Sequence, residues 1–198
     1  MKLSIYPIPY VAQRALQRLL YLCSKQYRIE VEAFFEAIKA YNYVVVKLDT
    51  PNKHRRFPLN YKIGTDIDVI VLEEDLHKIK DVIITLNKNK KLKKVVSEKE
   101  GKLKVRYQFS KFLNLQFDLI SSQSNDLYVD CLKMRSDKNL IKTPLIEYEI
   151  VVRALEFQRR PSKIYHLEFI QRNNEFVNVE LLKKYEIKSE TIKMINNN

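Results

Sequence analysis

Glycine is nearly missing from this chain: Gly64 and Gly101 are the only two in 198 residues. A dinucleotide-binding fingerprint or a Walker loop needs several glycines, because the backbone must come close to phosphate. Both are excluded. Cysteine occurs only at Cys23 and Cys131, which match no metal-ligand spacing. Both are read as reduced thiols in a cytoplasmic protein. No apolar run reaches about 18 residues, so no membrane span is expected. The first residues are interrupted by Pro7, Pro9, Gln13 and Arg14 and do not read as a signal peptide. No Ser/His/Asp arrangement and no histidine-based metal spacing stands out.

What the chain does contain is ordinary for a soluble globular protein: 45% hydrophobic and 30% charged residues. Its length suits one domain with a helical extension, or one domain plus a small lobe. The net charge is +12 and the pI about 9.5. That balance favours anionic partners such as RNA, nucleotides, phosphorylated glycans or acidic membrane surfaces. A Lys-rich genome composition accounts for it equally well.

Hydrophobic spacing predicts helix over residues 8–41, with Ala12, Leu16, Leu19, Leu20 and Cys23 on one stripe and Phe34, Phe35, Ile38 and Tyr41 on another. Residues 43–48 are short and β-branched and read as a strand. A polar loop runs to about residue 63. Asp66 to Leu72 reads as a second strand and Glu73 to Leu86 as a helix, with three acidic residues in its first turn. Residues 93–121 alternate like a β meander turning at Glu100-Gly101. A further strand is expected at Leu127–Leu132. Thr143 is read as a helix N-cap with Pro144 at the first helical position. Pro161 ends that helix, and Ser162 caps the next. The expected fold class is α+β: N-terminal helices over residues 1–42, a mixed-sheet core over 43–132 and a helical region over 133–198.

The chemistry concentrates in Gly64-Thr65-Asp66-Ile67-Asp68-Val69-Ile70-Val71-Leu72. Strand side chains alternate faces, so Asp66 and Asp68 point the same way, roughly 6–7 Å apart, while Ile67, Val69 and Val71 point into packing. Like charges this close repel unless a cation or proton lies between them. Mg²⁺ (or Mn²⁺) takes hard oxygen ligands, using one or two carboxylates plus substrate phosphates. A two-metal clamp wants a third carboxylate on an adjacent strand. Asp118 fits: it lies opposite the apolar face formed by Leu115, Phe117 and Leu119. There it can bind metal and take the proton of an attacking hydroxyl.

This pattern resembles the nucleotidyltransferase superfamily of the DNA polymerase beta type: a strand, an Asp-x-Asp strand, a helix, then a later strand with a third Asp. The resemblance covers residues from about 43 to 120. The helices after Thr143 loosely resemble those behind the core in small uncharacterised bacterial nucleotidyltransferases. It implies a nucleotidyltransferase-like small mixed sheet flanked by helices, with a helical C-terminal part. It implies Asp66, Asp68 and Asp118 as catalytic metal ligands, and an NTP as substrate. Gly64, Thr65, Lys47 and Arg55 would lie near the phosphates. The superfamily usually carries Gly-Ser at the end of the first strand, where this chain has Lys47-Leu48-Asp49-Thr50. Either Gly64-Thr65 and Lys47 share the phosphate duty, or the site is altered.

Blander readings stand beside these. Lys47 can simply snorkel to solvent, and Arg55 and Arg56 can be a solvated loop. The basic run from Lys88 to Arg106 can track a nucleic-acid backbone or form a solvated hairpin. Arg159, Arg160, Lys163 and His166 suit phosphate contacts or ordinary helix-terminus charge. His77 reads as a surface helix residue. A glycosyltransferase also uses Asp-x-Asp, but after about 100 residues of βαβ structure, and only 65 residues, mostly helical in pattern, precede Asp66. The expected function is therefore metal-dependent transfer of a nucleotidyl group from an NTP to an acceptor hydroxyl, the acceptor being RNA, another polyanion, a protein side chain or a small molecule. The alternative is a catalytically inactive nucleotidyltransferase-fold module that binds nucleic acid or a protein.

Overall fold

Two adjacent strands, each apolar on one face and acidic on the other, organise the molecule. The structure is a computed structural model that describes residues 31–49, 66–86, 93–99, 101–108, 114–137 and 140–196, together with Ala12, Ala15 and Leu19. Strand β2 (Asp66–Val71) pairs in parallel with β5 (Asn114–Ser121). Around them a five-stranded mixed sheet is completed by β1 (Tyr43–Val46), β3 (Lys93–Lys99) and β4 (Lys102–Gln108), in the order β1-β2-β5-β4-β3. Every pairing other than β2 with β5 is antiparallel. Gly101 makes the turn between β3 and β4. Its φ is +65°, and a Cβ there would lie 3.0 Å from the Ser124 Cβ, so both the backbone and the space call for glycine.

One face of the sheet packs against α1 (Val31–Ile38) and α2 (Glu73–Leu86). Phe34, Phe35 and Ile38 from α1 and Leu76, Ile79 and Ile83 from α2 meet Val45, Ile67, Val69, Phe117 and Leu119. Each fully buried side chain of this kind contributes roughly 1.5–3 kcal/mol. The start of α2 is anchored as well: Asp75, buried, accepts the Asn42 amide at 3.0 Å. The other face is partly covered by α3 (Asp126–Lys133), α4 (Ile146–Arg159) and α5 (Tyr165–Arg172). Val44, Val46 and Ile70 pack there against Leu127, Cys131, Ile150, Val151 and Ile170. Two further helices, α6 (Val179–Lys184) and α7 (Ser189–Asn196), complete this layer, so seven α-helices flank the sheet among the described residues. None of them is long and apolar enough to cross a membrane.

The architecture is α+β with a helical C-terminal part, and the meander, β2 and α2 form where spacing predicts them. Three local expectations are corrected. Residues 127–132 are helix rather than strand, because Asn125 caps α3 by accepting the Leu127 amide at 2.8 Å. Thr143 and Pro144 do not open α4; they form strand β7 (Thr143–Pro144), paired with β6 (Arg135–Ser136), and α4 begins at Ile146 without a side-chain cap. Ser162 does not cap α5, whose N-cap is Ile164. Ala12 and Leu19 are helical, as their spacing predicts, and exposed.

Candidate metal and nucleotide site

The period of two that buries Ile67, Val69 and Val71 turns Asp66 and Asp68 to the opposite face. In the parallel register Asp68 lies beside Asp118 and Asp66 beside Gln116. One carboxylate oxygen from each of Asp66, Asp68 and Asp118 falls within a set whose members are all within 4.8 Å of one another. Asp66 is exposed, Asp118 half-buried and Asp68 buried. Three hard oxygen donors at this separation suit a divalent cation of the Mg²⁺ or Mn²⁺ type, with water and phosphate filling the remaining positions.

Two lysines offset the negative charge. Lys47 follows β1, and its Nζ lies 3.1 Å from the Asp68 Oδ2. Burial lowers the pKa of this ammonium, but the attraction of Asp68, Glu156 and Asp66 and the hydrogen bond to Asp68 outweigh it, so the net shift is upward and the group stays charged. Lys104, opposite Asp118 in the β4–β5 register, places its Nζ 3.1 Å from the Asp118 Oδ2. The Gln116 amide donates to the other Asp118 oxygen. Gln116 is held in turn by Arg106, whose Nε and Nη2 reach its Oε1 at 2.9 and 2.6 Å. Both oxygens of Asp118 are thus oriented by neighbours.

The triad lines a cavity of about 190 Å³ between the open part of the sheet and α3 and α4. Lys47, Lys102, Lys104, Arg159, Arg160 and Lys163 border it against the carboxylates of Asp66, Asp68, Asp118 and Glu156: six cations against four anions. Its apolar lining includes Val152 and Leu155, with Tyr128 at the wall. Burial raises the Tyr128 hydroxyl pKa, with Arg159 and Lys47 pulling it back, so Tyr128 is a neutral hydrogen-bonding group at neutral pH.

Behind the cavity lies a buried polar cluster. Lys47 has φ = 58°, a left-handed conformation unusual for a residue with a side chain. Its N–H donates to the Glu149 Oε1 at 2.8 Å. The same oxygen accepts the Arg153 Nε–H at 2.8 Å. Arg153 is fully buried, its guanidinium carbon 3.8 Å from the centroid of the Phe169 ring. Among the described residues, the Glu149 Oε2, both terminal Arg153 nitrogens and both His166 ring nitrogens have no hydrogen-bond partner. Burial, reinforced by the positive charges of Arg153 and Lys47, pushes the His166 pKa down to about 4, so the ring is neutral at pH 7.

The structure brings Asp66, Asp68, Asp118 and Lys47 together. Arg55, Gly64 and Thr65 lie outside the described residues. His77 is an exposed helix residue, 4.0 Å from Glu98. His166 is buried rather than at the cavity rim. Arg159, Arg160 and Lys163, candidates for phosphate contact in the sequence, line the cavity, and Lys104 gains a place at the site that spacing alone does not assign it. For Lys104 the available signal is its alternation with Lys102 and Arg106 on β4, which marks a common face but not its neighbour.

No family model matches this sequence, and no curated protein matches it. Among solved structures, one described as the structural basis for the activity of a cytoplasmic RNA terminal U-transferase is 10% identical, with a TM-score of 0.28. The match covers 81% of this chain and 46% of that one, so this chain spans about half of that structure's length.

Proposed function

We propose that this chain is a metal-dependent nucleotidyltransferase that moves a nucleotidyl group from an NTP to an acceptor hydroxyl. The observation that carries this reading is the convergence of Asp66, Asp68 and Asp118 at the floor of a cavity rimmed by cations. Asp66, Asp68 and Asp118 hold Mg²⁺ or Mn²⁺. The bound ion supplies Lewis acidity at the phosphate and lowers the pKa of the attacking hydroxyl. Lys47 and Lys104 turn from the carboxylates to the phosphates when the aspartates engage metal. Arg159, Arg160 and Lys163, on the opposite rim, neutralise the triphosphate, with Gly64, Thr65 and Arg55 assigned to the same duty. Asp118 accepts the hydroxyl proton. The acceptor oxygen bonds to the α-phosphorus, the bond from that phosphorus to the bridging oxygen breaks, and pyrophosphate leaves.

The acceptor side is the open face of β4, where Lys102, Lys104 and Arg106 alternate outward next to the triad. A polyanion such as RNA suits that face. A cytoplasmic setting belongs to the same reading, with Cys131 a free, buried thiol. The test is transfer of label from an α-labelled NTP to a panel of acceptors, alongside thermal shift with Mg²⁺ and each NTP. Stabilisation by metal and NTP together, lost in Asp68→Ala, supports the enzyme. No transfer and no response to any metal or nucleotide overturns it.

One observation favours the second reading, a catalytically inactive binding module. The Lys47 amide is engaged by Glu149, and Lys47 and Lys104 already neutralise two of the three aspartates. That reading predicts salt-sensitive binding of RNA, or of a protein, that survives Asp68→Ala.

A further inference from the structure

Lys47 spans the boundary between the buried cluster and the cavity. Its amide faces back to Glu149 at 2.8 Å and its ammonium faces forward to Asp68 at 3.1 Å. Between these two contacts the backbone is left-handed, at φ = 58°. A residue with a Cβ holds that conformation only when its surroundings impose it. The amide that precedes this rotation is fixed by Glu149: a backbone donor at the end of a buried strand must find an acceptor, and the Glu149 Oε1 is the acceptor it has. That hydrogen bond holds the Val46–Lys47 peptide plane and with it the Lys47 Cα, the root from which the side chain reaches Asp68.

Beyond its pairing with Arg153, Glu149 carries no other visible task. It is buried, its second oxygen has no partner among the described residues, and it does not line the cavity. Burying a carboxylate is costly unless it is paired, and Arg153 provides the pair. Arg153 in turn rests on Phe169. The chain thus maintains a buried carboxylate–guanidinium pair at the one point where the strand end must turn the wrong way for a lysine.

We propose that Glu149 is a positioning residue for the site: by taking the Lys47 amide it pins the end of β1, and with it the root of the Lys47 side chain, where the ammonium reaches Asp68 and the cavity. The place where the resembling superfamily offers backbone amides to a triphosphate is here built to deliver a side-chain cation instead. The nucleotide consequence rests on the function proposed above. The aim of Lys47 does not.

The test has two arms. In the first, lysine acylation is followed residue by residue by peptide mass spectrometry, with no metal or nucleotide present. Lys47 is expected to be protected in the wild type. Glu149→Met, which removes the acceptor, is expected to speed its acylation by about tenfold or more while lysines elsewhere keep their rates. Glu149→Gln, which keeps a carbonyl oxygen for the amide, is expected to leave Lys47 protected. Where Glu149→Met does not fold, Glu149→Asp withdraws the acceptor while retaining the charge beside Arg153 and carries the same prediction. Unchanged protection of Lys47 in a folded Glu149→Met or Glu149→Asp protein overturns the proposal.

In the second arm, the affinity for an Mg²⁺–NTP pair is compared in four proteins. Glu149→Met is expected to weaken it about tenfold in the wild-type background and not at all when added to Lys47→Met. Equal losses in both backgrounds point to general structural damage and overturn the positioning role. If the wild type itself binds no metal–nucleotide pair, the functional reading fails, and the acylation pattern still decides whether Glu149 aims Lys47.

Discussion

The two faces of the five-stranded sheet are built from the same strands and meet opposite demands. Under α1 and α2, Val45, Ile67, Val69, Phe117 and Leu119 are at most 1% exposed. On the reverse of β2 and β5, displaced by one residue, stand Asp66, Asp68 and Asp118, with Lys104 across from Asp118 on β4. The first face contributes stability through area removed from water. The second gathers like charges that weaken the fold unless cations offset them. The comparison teaches that each strand separates its two duties by alternation alone, so neighbouring residues should respond to substitution in different measurements.

The sharpest break is Asp68→Asn. It should reduce metal-dependent transfer on the order of 10²–10³-fold, while thermal unfolding stays close to wild type because the side-chain volume is kept. A large fall in melting temperature with transfer retained would show that Asp68 belongs to the packing face in function. Next is Phe117→Ala, the immediate neighbour of Asp118, which should cost about 3–5 kcal/mol in urea unfolding. Where the variant is still folded, metal affinity should be nearly unchanged. Smaller is Lys104→Met. This half-exposed pair contributes little to stability, but freeing Asp118 should tighten binding of Mg²⁺ alone and raise the KM for NTP about tenfold. Tighter binding of both metal and NTP would remove Lys104 from the phosphate side.

The smallest effect concerns pH. His166 has its folded pKa pushed down to about 4 from 6.5, so the unfolded chain takes up the proton first. Its contribution is complete above pH 6.5 and is lost as the pH falls toward 4. Comparing the pH dependence of the melting temperature with that of His166→Gln isolates this share. Parallel curves for the two proteins would show that the ring titrates normally.

Much of this contrast is legible in the sequence. Period-two alternation is enough to place Asp66 and Asp68 together and to set Asp118 against Phe117. The register is not legible, since nothing in the residue string says that Asp68 pairs with Asp118 rather than with Gln116 or Ile120. The partners from distant segments are hidden for the same reason: Lys104 reaches the site by strand pairing, and Arg159, Arg160 and Lys163 by the packing of α4 on the sheet. Residues 127–132 mislead because β-branched and apolar residues there suit either period, and only the Asn125 cap decides for helix. Thr143-Pro144 has the chemistry of a helix start, yet pairing with Arg135–Ser136 claims it first.

The parallel pairing of β2 with β5 also acts as a proofreading device. A slip of β5 by a single residue would carry Asp118 under the rings of Phe34 and the aliphatic side chains of α2, and would push Phe117 and Leu119 into the cavity. Such a misaligned chain loses its core together with its site. A molecule that folds with its oily face satisfied has therefore, by the same act, assembled its three aspartates.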